Sequence, residues 1–275
     1  MTCQASGEDP QFAELFLKLS VCQLPDGLSI DHPAWADLLR RIENDRPEIT
    51  VLNEMPFGSW LASRDTFDPD LATASVRDHE RAIANLHEIS TAVLSSRPVP
   101  GAHKLSNEAF LIADGRYQAI HHKHFFPQEP GFFEDTWFAP QRPGFDVLEH
   151  RGLRIGVLLC TELMFNEWAR HYRRQGAHVI VVPRASGASR KWDTAAAMAA
   201  IVSGCYVLSS NRASPVNDPN SNFGGRGFAY SPTGELLAET SPSAPLVSID
   251  VDITRVAEAQ SGYPCYVREL PPTSP

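Results

Sequence analysis

The chain has 275 residues, is 43% hydrophobic and 21% charged, and carries a formal net charge of −9. That balance is globular, and its sign argues against phosphate-backbone binding, so no nucleic-acid partner is expected. No segment has the apolar length of a membrane span. The start "MTCQASGEDPQF" lacks a basic n-region, and the apolar stretch behind it is broken by Glu14 and Lys18, so neither a membrane partner nor a signal peptide is expected.

Residues 1–14 read as a loose arm, 15–268 as a single domain without repeats or linkers, and 269–275 as a tail. The first apolar run, 15–24, predicts a strand. "DHPAWADLLRRIEND" predicts a helix opened by an Asp31 cap and Pro33. A strand over 48–54 follows, then a helix over 77–96 with Ala82, Ile83, Leu86, Ile89 and Val93 on one face. Runs 108–114 and 117–123, joined by an Asp-Gly-Arg turn, predict a hairpin. Strand 154–160 passes directly into a helix carrying Met164, Phe165, Trp168, Ala169 and Tyr172 at helical spacing and stopped at Gly176. Strand 178–184, a helix over 193–204 and strands 205–211, 225–232 and 245–252 complete the series. Strands alternating with helices predict a layered α/β fold.

Five cysteines, Cys3, Cys22, Cys160, Cys205 and Cys265, are far apart and form no CxxC, which fits a reducing, cytoplasmic location and neither a disulfide framework nor a zinc site. Cys22 and Cys205 lie within apolar runs and read as small buried hydrophobes. Cys160 differs, because it stands at a strand-to-helix corner, the end of an α/β sheet where ligands bind. Glu54 closes one strand and Lys123 another. A carboxylate ending a buried strand is costly without partners. Spacing alone leaves open whether the three share one crevice or belong to separate structural ion pairs.

These segments resemble the nitrilase superfamily, the carbon–nitrogen hydrolases. The resemblance lies in "VLNEMPFG" around Glu54, "HHKHFFPQEPGFFEDTWFAP" around Lys123, and "RIGVLLCTELMFNEWARHYRRQGAHVIVVPRAS" around Cys160. It continues through "VSGCYVLSSNRAS" and "FGGRGFAYSPTGELLAE" to the end of the expected domain. The resemblance implies a four-layer αββα sandwich, an amide-cleaving enzyme, and homodimers or larger homo-oligomers. It also places Glu134 at the family's second glutamate, where it would hold Lys123 and the substrate nitrogen. One departure stands out: Thr161-Glu162 replaces the commoner aromatic-aspartate after the cysteine.

The chemistry gives each residue a role. Glu54 takes the Cys160 proton as general base, Lys123 stabilises the anion, and the thiolate attacks an amide carbonyl. Lys123 and the Thr161 N–H receive the oxyanion. An amine or ammonia leaves, and water hydrolyses the thioester. No metal or organic cofactor is required. The expected substrate is a small linear amide or N-carbamoyl compound. The alternatives are a nitrilase, an acyltransferase using the same thioester, and a non-catalytic binding protein. Trp60, Trp137, Met164 and Phe165 are candidates for a largely apolar acyl pocket. Glu162 would touch a cationic substrate or orient a neighbour, and Arg184 would hold a substrate carboxylate or lie in a solvated loop. "HHKH" over 121–124 reads against a metal site, because adjacent strand histidines face opposite ways and no acidic motif accompanies them.

Overall fold

The structure, a computed structural model, describes residues 16–142, 144–215 and 222–268. The expected arm and tail, and Cys3, lie outside the described residues. The chain forms β1 (Phe16–Pro25), α1 (Pro33–Asp45), β2 (Ile49–Val51), α2 (Pro69–Leu86), β3 (Ala92–Pro100), β4 (Leu105–Ala113) and β5 (Arg116–His122). A short ribbon, β6 (Gln128–Glu129) and β7 (Phe132–Phe133), leads into the single turn α3 (Glu134–Trp137). Then come β8 (Leu148–His150), β9 (Leu153–Val157), a 3-10 turn over Cys160–Met164, α4 (Asn166–Arg174), β10 (Val179–Arg184) and α5 (Lys191–Ser203). The last elements are β11 (Tyr206–Ala213), β12 (Phe228–Tyr230), β13 (Leu236–Glu239), β14 (Leu246–Asp252) and α6 (Ile253–Ser261).

The strands make two half-sheets that meet at β1. On one side the order is β5-β4-β3-β2-β1, with β14 antiparallel against β1. At Gln23–Pro25, β1 turns to pair in parallel with β11, which continues through β10 and β9 to β8. Period-two alternation decides what each face buries. Leu19 and Val21 of β1, Ala109 and Leu111 of β4, and Val179 and Val181 of β10 point into one core between the two half-sheets. The intervening residues Cys22, Leu24, Phe110 and Ile112 pack outward under α1 and α2. Ile180 and Val182 pack outward under α4 and α5. The layers therefore run α, β, β, α, the sandwich that the resemblance implies. Strands buried on both faces read as continuous apolar runs, which is why "VIVVP" carries no polar alternation. No helix among the described residues is long and apolar enough to cross a membrane.

Several boundaries differ from expectation. The helix expected over 77–96 begins at Pro69 and ends at Leu86. Asp68 caps it, accepting from the Asp70 and Leu71 N–H groups at 3.0 and 3.1 Å. Val93 belongs instead to β3, paired in parallel with Thr50. Here the β-branched run Ile89-Ser-Thr-Ala-Val prefers strand, and tertiary pairing overrides the helical spacing. The prolines that disguise β3 are tolerated because β2 pairs with it only from Ala92 to Leu94. At α1 the cap is His32, not Asp31: its Nδ1 accepts from the Ala34 N–H at 3.0 Å. Strands expected at 48–54 and 154–160 stop at Val51 and Val157, so Glu54 and Cys160 lie in the loops just beyond.

Candidate active site

Lys123 directly follows the last residue of β5, and Glu54 and Cys160 each lie three residues past the ends of β2 and β9. The Glu54 N–H donates to the Arg184 carbonyl at 3.2 Å, which ties the end of β2 to the end of β10 on the other half-sheet. The Lys123 N–H donates to the Asn107 carbonyl of β4 at 2.9 Å. Cys160 opens the 3-10 turn with φ +48°, a left-handed conformation in a non-glycine residue. Such strain costs roughly 1–3 kcal/mol and persists only where the surroundings over-determine it. Before it, the Leu158 N–H donates to the Val181 carbonyl at 3.0 Å, and after it the Glu162 N–H donates to the Leu159 carbonyl at 3.1 Å.

The three side chains and Glu134 form one buried set. Lys123 Nζ lies 2.8 Å from Glu54 Oε1 and 2.5 Å from Glu134 Oε2, and all three side chains are fully buried. Asn107 Nδ2 donates to the same Glu54 Oε1 at 2.8 Å. Glu54 Oε2 and Glu134 Oε1 have no partner and are buried. A carboxylate pinned through one oxygen offers its other oxygen for proton transfer. Burial works against the Lys123 charge, but Glu134 and Glu54 outweigh it and hold the ammonium above its ordinary range. Burial, reinforced by the Glu54 charge, pushes the Glu134 carboxyl up against the pull of Lys123. Cys160 feels the same groups. Burial and then Glu54 push its thiol up, and Lys123 only partly offsets them. Burial and Glu54 together thus favour the neutral thiol over the thiolate.

Cys160 and Glu134 open onto a cleft of about 390 Å³. Of the expected substrate contacts, Thr161 and Met164 line it. The others point elsewhere. Trp137 is buried, donates Nε1–H to the Arg64 carbonyl at 2.8 Å and packs on Phe67. Trp60 donates to the Gly131 carbonyl at 3.2 Å and packs against Phe132 and Phe223 behind the cleft wall. Phe165 stacks on Phe125 at 4.1 Å. Arg184 does not serve as a carboxylate ligand. Buried, it donates to Ser209 Oγ, Ser186 Oγ and the Arg226 carbonyl, under the rings of Trp192 and Phe228. Glu162 is also turned inward and fully buried. The cleft is accordingly less apolar than expected, since Gln128, Glu129, Ser186, Ser189 and Lys191 share its wall.

The histidines divide as strand geometry requires. His122 faces Glu108 at 3.1 Å, whereas His121 meets Glu162 at 2.8 Å. The acidic partner absent from the local sequence thus comes from the nucleophile turn. His121, His124 and Glu162 bring possible ligand atoms within 4.8 Å of one another, but Glu162 already accepts from Leu159 and His124 N–H groups at 2.8 Å each, leaving it a poor cation ligand. Asn107 escaped sequence reading. Its only signal was that it extends the inward row of Ala109 and Leu111 by one polar residue.

The carbon-nitrogen hydrolase family model matches residues 48–261, a span that holds all four buried groups. Among curated relatives, an N-carbamoylputrescine amidase of Solanum tuberosum is 28% identical over 174 residues, 58% of each chain, so the match spans little more than half of that relative. An omega-amidase of Bos taurus is 26% identical over 83% of this chain and 85% of its own. Among solved structures, a carbon-nitrogen hydrolase from Helicobacter pylori superposes with a TM-score of 0.81 at 22% identity, covering 91% of this chain and 94% of that one. An amidase from Nesterenkonia sp., caught with an acetamide moiety added to its active-site cysteine, has a TM-score of 0.73 at 19% identity, covering 92% and 96%. With the family match spanning most of the chain, and the sandwich shared with these structures, this protein belongs to the carbon-nitrogen hydrolase family.

Proposed function

We propose that the protein hydrolyses the C–N bond of a small linear amide or N-carbamoyl compound through a thioester on Cys160. The observation that carries this reading is the arrangement of Glu54. One oxygen is fixed by Lys123 and Asn107, and the other is buried, unpartnered and close enough to Cys160 to shift its thiol. The relatives named above, amidases of carbamoyl and amide substrates, support the same chemistry.

The steps follow from the geometry. Substrate enters the cleft and its carbonyl carbon meets Cys160 Sγ. Glu54 Oε2 takes the thiol proton as the S–C bond forms, so no free thiolate accumulates. The carbonyl oxygen becomes an oxyanion, held by the Lys123 ammonium and the Thr161 N–H, which lies in the first turn where helical N–H groups lack internal partners. Glu134 keeps Lys123 oriented. The tetrahedral species collapses, the C–N bond breaks, and the proton on Glu54 passes to the leaving nitrogen, which departs as ammonia or an amine. Water then attacks the thioester and gives a proton to Glu54. That proton returns to Cys160 as the acid, or carbamic acid, is released. No step calls on a metal or organic cofactor.

We also read the protein as a cytoplasmic homo-oligomer. Cys22, Cys160 and Cys205 form no disulfide, and apolar Met198, Ile201, Tyr263, Tyr266 and Val267 are exposed, a surface that self-association would cover.

The test is a panel of short amides, dicarboxylic monoamides, carbamoyl-amines and nitriles assayed for ammonia, with intact-mass trapping of the acyl-enzyme. Ammonia release with an adduct on Cys160, absent in Cys160→Ala, is expected. Turnover of nitriles alone, or undiminished turnover by Cys160→Ala, overturns the proposal.

A further inference from the structure

We infer that Glu162 is a positioning residue that clamps the nucleophile turn to the lysine strand end, with His121 as its buried hydrogen-bond partner. The inference rests on the reaction proposed above. Glu162 lies two residues beyond Cys160, yet its carboxylate faces away from the cleft and is fully buried. Its Oε2 accepts the N–H of Leu159, the residue before Cys160, at 2.8 Å. Its Oε1 accepts the N–H of His124, the residue after Lys123, at 2.8 Å. One rigid, planar group thus holds the neighbours of both the nucleophile and the ammonium.

His121 completes the clamp. Its Nε2 lies 2.8 Å from Glu162 Oε2 and its Nδ1 lies 3.0 Å from the Gly144 carbonyl. Both ring nitrogens face oxygen atoms, one on each side, which fixes the ring in place. Removing either partner would leave a buried polar atom of the other unsatisfied. The clamp explains the residue type. Both oxygens must accept a backbone N–H, and a glutamine would turn an NH₂ group against one of them. The left-handed Cys160 needs such a restraint. Displacing a reacting group by about 1 Å costs on the order of 10²-fold in rate.

The test uses the full chain as E162Q, E162D and H121A. For each variant one measures Tm, kcat and KM on a turned-over amide, and the rate of Cys160 alkylation by iodoacetamide, read by mass. E162Q is expected to lower kcat and alkylation together by about tenfold or more, with KM within about threefold. E162D, which keeps the charge one methylene closer in, is expected to recover much of that loss. A substrate contact would instead raise KM and leave alkylation alone, and that result overturns the inference. So does E162Q with alkylation and kcat at wild-type values. If E162Q does not fold, H121A decides: slower alkylation supports the clamp, and wild-type alkylation removes it. Alkylation needs no substrate. A wild-type chain that turns over nothing, with E162Q still slow to alkylate, therefore defeats the proposed reaction and leaves the clamp standing.

Discussion

Replacing Glu134 by glutamine separates catalysis from stability. The side chain keeps its shape and one acceptor oxygen for Lys123 but loses its charge. In the native site two carboxylates share one ammonium, at 2.8 and 2.5 Å, so ionising both would leave one excess negative charge. Burial and Glu54 push the Glu134 carboxyl above its ordinary 4.5. The folded state thus holds a proton that the unfolded chain has already released. Such a group stabilises fully below about 4.5 and loses that contribution as pH rises through its folded value. Glutamine suffers no such loss, so the Tm of E134Q relative to wild type should climb as pH rises above 4.5. Turnover should move the other way. Lys123, held at position 134 only by a neutral amide oxygen, becomes a poorly placed oxyanion donor, and full loss of one such donor costs ~2.7–4 kcal/mol, or ~10²–10³-fold in kcat. Thermal melts across pH, kcat and KM are measured on one preparation. A variant with lowered Tm and wild-type kcat would refute the argument and make Glu134 a structural residue only.

Four further outcomes follow from the same geometry. Asn107→Ala removes one of two donors from Glu54 Oε1, a charge-assisted bond of about 1.5–3 kcal/mol, so kcat should drop by about 10- to 100-fold; wild-type turnover would show that Lys123 alone holds the base. Iodoacetamide should modify Cys160, which lines the cleft, before Cys22 and Cys205, which are fully buried away from it; peptide mapping that finds Cys160 last defeats the nucleophile assignment. Burial lowers His79 from 6.5 to about 4, so about 3 kcal/mol of stability, complete above pH 6.5, should fade as pH falls toward 4; denaturant melts of His79→Gln should lack that slope. Gly156→Ala would set a Cβ about 2.5 Å from the Tyr172 ring, an overpacking that costs ~1–3 kcal/mol and should lower Tm; an unchanged melt would mean that Tyr172 moves freely.

Ionisable residues ending apolar runs drew attention to three positions, and the family resemblance joined them, with Glu134, into one site. Glu54, Lys123 and Cys160 interrupt patterns that otherwise continue, and the fold brings all three to one place. What stayed hidden depended on neighbours distant in the chain. Asn107 looks like an ordinary polar residue just outside a predicted strand until Glu54 is placed beside it. Glu162 invited a substrate role because it adjoins the nucleophile, yet its partners come from the segment around His121 and His124. Trp60 and Trp137 sit near the site in sequence but spend their indole N–H groups on loop carbonyls. The helix read through Val93 failed because spacing of about 3.6 persisted by accident across a turn, into a strand whose pairing with Thr50 lies 43 residues upstream.

Under the proposed reaction, the seam between the half-sheets has a consequence for when this protein becomes chemically competent. Glu54, Lys123 and Asn107 come from the β1–β5 half, whereas Cys160 belongs to β9 and its turn on the other. During synthesis the base and the ammonium are made first, and the thiol follows. Until the second half docks, Cys160 is an ordinary cysteine without a base, and Glu54 has no proton to take. In the reaction proposed above, assembly of the sandwich is therefore what arms the nucleophile. A chain that misfolds, or that is cut between the two halves, carries no activated thiol to react with the contents of the cell.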